Sequence, residues 1–81
     1  MKGQIPLLPQ RIPALFAHLE RRYADGRANT TDGLRVDWPT KWFHVRVSQT
    51  EPVVRVICEH RGVPPRMLFQ ELMDQVRQYA A

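Results

Sequence analysis

Eighty-one residues, with twelve Lys+Arg against eight Asp+Glu, carry a formal charge of +4; 43% of the residues are hydrophobic and 25% charged. A chain this short buries only ~60–65% of the surface its unfolded form exposes, so one hydrophobic core is the limit. That excludes a self-contained enzyme with a deep multidomain cleft and leaves a binding module, or one wall of such a cleft. The balance is too apolar for a disordered tail.

Residues 1–10, with Pro6 and Pro9, read as an extended lead-in rather than a structured element. From Arg11 to Ala24 the apolar residues Ile12, Leu15, Phe16 and Leu19 recur at helical spacing, with Pro13 in the first turn and Gly26 beyond the end. Asn29 to Gly33 is a β-leaning stretch that ends in an Asp-Gly turn. Leu34-Arg35-Val36-Asp37-Trp38 then alternates as a half-buried strand does. Pro39-Thr40-Lys41 turns the chain, and Trp42-Phe43-His44-Val45-Arg46-Val47 returns as the second arm of a hairpin. A polar loop runs from Ser48 to Pro52 and a third strand from Val53 to Glu59. After Gly62 and Pro64-Pro65, Arg66 to Ala80 is helical, with Leu68, Leu72, Val76 and Tyr79 as its apolar stripe, widened by Phe69 and Met73. Helix, strands and helix in this order predict an α+β fold: an antiparallel sheet of about four strands with two helices packed on one face.

Ten of the twelve cations are Arg; only Lys2 and Lys41 are Lys. A guanidinium offers a planar fork of donors matched to phosphate and carboxylate, so the imbalance points to anionic ligands. The cations are scattered, however, and Arg21-Arg22 is the only adjacent pair, which is a weak footprint for nucleic acid. The single cysteine, Cys58, can form neither an internal disulfide nor a cysteine-based zinc site and reads as a buried structural thiol. No apolar run is long enough to span a membrane, and the first residues lack the apolar core of a signal peptide. The default expectation is a soluble protein in the reducing cytoplasm. His18, His44 and His60 share no metal-ligand spacing. Trp38 and Trp42 flank the hairpin turn, where they pack across the strands or stack on a ligand.

The segment Arg46-Val47-Ser48-Gln49-Thr50-Glu51-Pro52 concentrates what a phosphate needs. It has a guanidinium for a bidentate grip, two hydroxyls that donate, a turn backbone that can cradle an anion, and a proline that stiffens the exit. Glu51 opposes such a site unless it points away or pairs with an Arg. On chemistry alone, the loop is either a phosphate pocket or an ordinary hydrogen-bonded strand connection.

In order, Asp32-Gly33-Leu34-Arg35-Val36-Asp37-Trp38 and then Trp42 to Val56, with Arg46-x-Ser48-Gln49-Thr50-Glu51-Pro52 inside it, resemble the C-terminal domain of the α-D-phosphohexomutases. That superfamily includes the phosphoglucomutases, phosphomannomutases and phosphoglucosamine mutases. The resemblance runs roughly over residues 11–80, with both helices, and sets residues 11–81 apart as the domain. It implies a TATA-binding-protein-like architecture, which does not carry DNA binding with it. It also implies that Arg46, Ser48, Gln49 and Thr50 grip the phosphate of a hexose phosphate that is not being transferred, Gln49 mainly through its backbone. Arg55 matches a further family arginine that supplies a second charge; its alternative is a pair with Glu51 or Glu59. Two positions depart from the pattern: Val47 stands where Pro or Ala is usual, and Gln49 where Gly or Asn is usual. If the second needs a positive φ, glutamine is less comfortable there than glycine.

By the same resemblance, the parent enzyme is an isomerase that moves phosphate within a hexose phosphate. It works through a phosphoserine and a hexose 1,6-bisphosphate with one Mg²⁺, all held on preceding domains. Ser48 is the only serine here and no Asp-x-Asp-x-Asp cluster occurs, so this stretch is expected to catalyse nothing alone and to hold no metal. The implied partners are the hexose phosphate and the other domains of the parent, with neither nucleic acid nor membrane. The alternative from another class is a small basic nucleic-acid-binding module that uses Trp38, Trp42 and Phe43 as stacking groups; a plain protein-interaction domain is the third.

Overall fold

The computed structural model describes residues 1–80; Ala81, the last residue assigned to the domain, lies outside the described residues. The chain runs β1 (Lys2–Pro6), a 3-10 turn (Pro9–Arg11), α1 (Ile12–Arg22), β2 (Arg27–Asn29), β3 (Leu34–Asp37), β4 (Lys41–Val47), β5 (Val53–His60) and α2 (Arg66–Ala80). All strand pairs are antiparallel, in the order β1-β5-β4-β3-β2. This is the expected α+β class with two helices, but the sheet has five strands.

The additional strand is β1, inside the segment read as an extended lead-in. Lys2 to Pro6 pair with Ile57 to Val53, and Ile5 and Leu7 are buried in the core. Only Gly3 and Ile5 of β1 face inward. The glycine carries no apolar signal because Phe69 and Met73 of α2 fill the space where its side chain would stand: an added Cβ would lie 2.8 Å from Phe69 Cζ and 2.9 Å from Met73 Cε. A second difference concerns the stretch before Gly33. Its strand, β2, ends at Asn29, and residues 30–33 form the turn. Arg27, Ala28 and Asn29 are all exposed, so β2 is an edge that β3 recruits through its backbone.

Register divides the sheet into two faces. Phe43 faces Cys58, Val45 faces Val56 and Val47 faces Val54, while Leu34 and Val36 oppose Val45 and Phe43. Apart from Val47, which lies at the rim, these residues are fully buried. They meet Leu15 and Leu19 of α1 and Leu72 and Val76 of α2, so both helices cover this one face. Each fully buried aliphatic or aromatic side chain contributes ~1.5–3 kcal/mol of transfer free energy, enough for the helical spacing of these residues to decide which way each helix turns. Phe16, Phe69 and Tyr79 pack at the margin, as core filler should.

The two helices also share a polar seam. Gln75 Nε2 donates to the Tyr23 hydroxyl at 2.6 Å, and that hydroxyl donates to Glu71 Oε1 at 2.7 Å. His18 Nε2 meets Gln75 Oε1 at 2.6 Å. Burial and the Glu71 carboxylate push the Tyr23 phenol well above its ordinary range, so it stays a neutral donor. Burial likewise raises the Cys58 thiol, as a structural cysteine requires.

Candidate functional site

The other face of the sheet carries Lys2 and Gln4 from β1, Arg55 and Ile57 from β5, Trp42, His44 and Arg46 from β4, and Arg35 and Asp37 from β3. Alternation makes this inevitable: with Val54, Val56 and Cys58 turned to the helices, Arg55 and Ile57 must point away. The candidate loop, residues 48–52, joins β4 to β5 at one end of this face.

Arg46 and Arg55 are direct cross-strand partners, and both are exposed. A hollow of about 240 Å³ lies at their end of the hairpin, lined by Arg46, Val47, Ser48, Gln49, Thr50 and Arg55. All five residues expected to grip phosphate, Arg46, Ser48, Gln49, Thr50 and Arg55, thus line one concavity, and Glu51 is not among its lining residues. Arg55 pairs with neither Glu51 nor Glu59 in any ion pair among the described residues. Like charges directly opposite destabilise a sheet, by roughly 0.2–1 kcal/mol.

The loop is held by its own hydrogen bonds. The N–H groups of Thr50 and Glu51 both donate to Ser48 Oγ at 3.3 Å. Ser48 N–H donates to the Val53 carbonyl at 3.0 Å, and Val53 N–H to the Glu51 carbonyl at 2.8 Å. Leu7 N–H, just past β1, donates to the Pro52 carbonyl at 2.8 Å and braces the exit. Ser48 therefore serves as an acceptor inside the turn, while its O–H proton remains free to donate outward. No residue other than glycine has a positive φ among the described residues, so Gln49 holds its place without the left-handed backbone that would favour glycine.

One residue the sequence reading passed over belongs here. Asp32 Oδ2 sits 3.1 Å from Arg46 Nη2, and the Asp32 carbonyl accepts from His44 Nε2 at 2.6 Å. Both side chains of the ion pair are more than half exposed, at 52% and 65%, so the pair contributes at most ~1 kcal/mol and holds Arg46 in place without blocking it from a stronger anion. The signal was the register: with Leu34 opposite Val45, the Asp-Gly turn has to lie beside Arg46.

The groups proposed for base stacking are occupied. Phe43 is fully buried, and Trp38 turns inward against Tyr23 and Phe43, with ring centroids 5.9 Å from each. Trp42 lies on the open face under the Arg35 guanidinium, 4.2 Å from its ring centroid. The two tryptophans are therefore on opposite sides of the sheet and do not pack on one another. Arg35 also donates Nε to Asp37 Oδ2 at 2.9 Å and Nη2 to Oδ1 at 3.1 Å; this bidentate grip holds the Asp37 carboxyl below its ordinary range. Another hollow, of about 490 Å³, shares no residue with the loop and mixes Asp25 and Glu71 with Arg22, Lys41 and Arg66. Among the described residues, no group of three or more His, Cys, Asp or Glu could hold a metal ion, and no helix is long and apolar enough to cross a membrane.

No protein-family model matches this chain. Over 40 residues, 49% of the chain, it is 45% identical to a protein named Probable phosphoglucosamine mutase from Methanocella arvoryzae. The matched stretch covers only 9% of that protein's length. About half of this chain is thus similar to part of a phosphohexomutase.

Proposed function

We propose that this chain is the substrate-phosphate-binding domain of a phosphohexomutase and grips the phosphate of a hexose phosphate that is not being transferred. The observation that carries this reading is the concavity where the Arg46–Arg55 pair meets the Ser48, Gln49 and Thr50 turn. Two guanidiniums supply charge-assisted, bidentate donors; the Ser48 and Thr50 hydroxyls add two more; the Gln49 backbone closes the cradle. The similarity to a phosphoglucosamine mutase supports the same class of parent enzyme.

Phosphoryl transfer depends mainly on positioning and charge stabilisation. A phosphate held by this loop would anchor one end of the sugar and aim its far hydroxyl at the reacting centre of the parent. Binding energy gathered at the spectator end is then spent on orientation at the other. Because the substrate presents either phosphate in turn, the loop must recognise phosphate and ignore most of the sugar. A small domain bearing this grip can close over the cleft after binding and exclude the water that would hydrolyse a phosphoenzyme. In this reading Mg²⁺ and the hexose 1,6-bisphosphate are held by the parent's other domains.

The test is a titration of isotopically labelled protein, followed by amide chemical shifts, with inorganic phosphate and glucose 6-phosphate. Both should move the amides of residues 48–51 and of Arg55. Arg46→Ala should weaken binding at least about tenfold, the loss expected for hydrogen bonds to a charged group. Salt-steep binding of an oligonucleotide, with no loop response to either phosphate, would overturn the reading in favour of a nucleic-acid module.

A further inference from the structure

A second hollow, about 410 Å³, lies on the open face of the sheet and is lined by Lys2, Gly3, Gln4, Arg46, Arg55 and Ile57. It shares Arg46 and Arg55 with the loop hollow, so these two residues line both concavities and form the partition between them. Register explains the arrangement. Gln4 opposes Arg55, which opposes Arg46, making a row of three across β1, β5 and β4; Lys2 opposes Ile57 in the next row, diagonal to Arg55.

The two sides of the partition carry donors of different origin. On the loop side stand Ser48, Gln49 and Thr50; on the sheet side, the Lys2 ammonium and the Gln4 amide, with Ile57 half-buried between them. No carboxylate lines either hollow, and Asp32 pairs with Arg46. Among the described residues, neither Lys2 nor Arg55 takes part in an ion pair. Each guanidinium has five N–H donors, and a bidentate grip on one phosphate uses two, so the shared pair has donors left for a second group. A single phosphate seated in the loop leaves the Lys2 and Gln4 side of the partition unused.

We infer that the sheet-face hollow is a second phosphoryl subsite and that the two hollows together take a diphosphate. One phosphoryl group lies in the loop and its neighbour lies over Lys2 and Gln4, with Arg46 and Arg55 between them. The inference rests on the loop reading for the first of these groups.

Calorimetric and amide-shift titrations of the whole chain with orthophosphate and with pyrophosphate test it. Pyrophosphate should bind at least about tenfold more tightly, as an added charge-assisted contact pair implies, and should alone move the amides of Gly3, Gln4 and Ile57. Lys2→Ala and Gln4→Ala should each reduce that preference several-fold, leaving orthophosphate binding unchanged. Lys41→Ala removes the same charge at the far end of β4 and should leave the preference intact. Equal losses in Lys2→Ala and Lys41→Ala would overturn the inference by showing a mere response to net charge. Loop amides that respond to both anions without any response at Gly3, Gln4 and Ile57 would overturn it alone, whereas silent loop amides would sink the loop reading as well.

Discussion

At the scale of single residues, Gly33 ties the backbone to the site. Its φ is +71°, and a Cβ there would lie 2.3 Å from the Val45 carbonyl oxygen, which is backbone and cannot swing aside. The turn can thus press directly on β4, and that closeness brings Asp32 within 3.1 Å of Arg46. Gly62 has a similar φ of +80° but nothing within 4 Å of an added Cβ. Gly33→Ala should therefore destabilise the fold by about 2–4 kcal/mol, combining left-handed strain with a clash, while Gly62→Ala should lose only ~1–2 kcal/mol. Urea unfolding of both variants gives the comparison; equal losses would mean that the turn relaxes away from β4. Because the damage at Gly33 also displaces Asp32, the amide of Arg46 should shift in that variant alone.

At the scale of elements, much of the fold was legible because the segments repeat with a clear period. Leu15 and Leu19, or Leu68, Leu72 and Val76, recur as helix positions must, and Val36, Phe43, Val45, Val54 and Val56 alternate as strand positions must. β1 was hidden for a physical reason: of its two inward positions one is Gly3, whose missing side chain is replaced by the tips of Phe69 and Met73 reaching from α2. A strand whose packing partner supplies the bulk leaves no alternation to read. The polar turn between β4 and β5 was legible because residues 48–52 break the strand alternation on either side. The role of Asp32 and the Lys2–Gln4 side of the arginine pair were not, since both depend on cross-strand register. The Gly3 packing makes its own prediction. Gly3→Val should destabilise by ~1–3 kcal/mol through overpacking, and the loss should shrink in a Met73→Ala background, where the crowding side chain is gone. A double-mutant cycle from thermal unfolding measures the coupling, and strict additivity would show that β1 and α2 do not meet at this point.

At the scale of the whole molecule, the sheet is a partition between two kinds of surface. One face is consumed by the core; the other is free to carry charge, and it places Arg46 and Arg55 directly opposite one another, where like charges repel. Arg35 shows the contrasting solution on the same face, with its charge matched by Asp37 and its plane laid on Trp42. Arg46 has Asp32 beside it, but Arg55 has no ion-pair partner among the described residues, and in the proposed reading a bound phosphate resolves that local conflict. This sets stability and binding in opposition. In low-salt buffer free of phosphate, Arg55→Ala should be more stable than the unmodified protein by roughly 0.2–1 kcal/mol, because a repulsion between exposed like charges has been removed. Adding phosphate should reverse the order. A ligand that binds only the folded state stabilises it by RT ln(1 + [L]/Kd), and the variant, having lost one of the two guanidiniums, should gain much less from the same concentration. Melting curves across a phosphate series at constant ionic strength should therefore cross: the variant melts higher at the start of the series and lower at the end. Parallel curves would show that Arg55 does not face the anion, and a variant that melts lower throughout would show that its side chain supports the sheet instead of straining it.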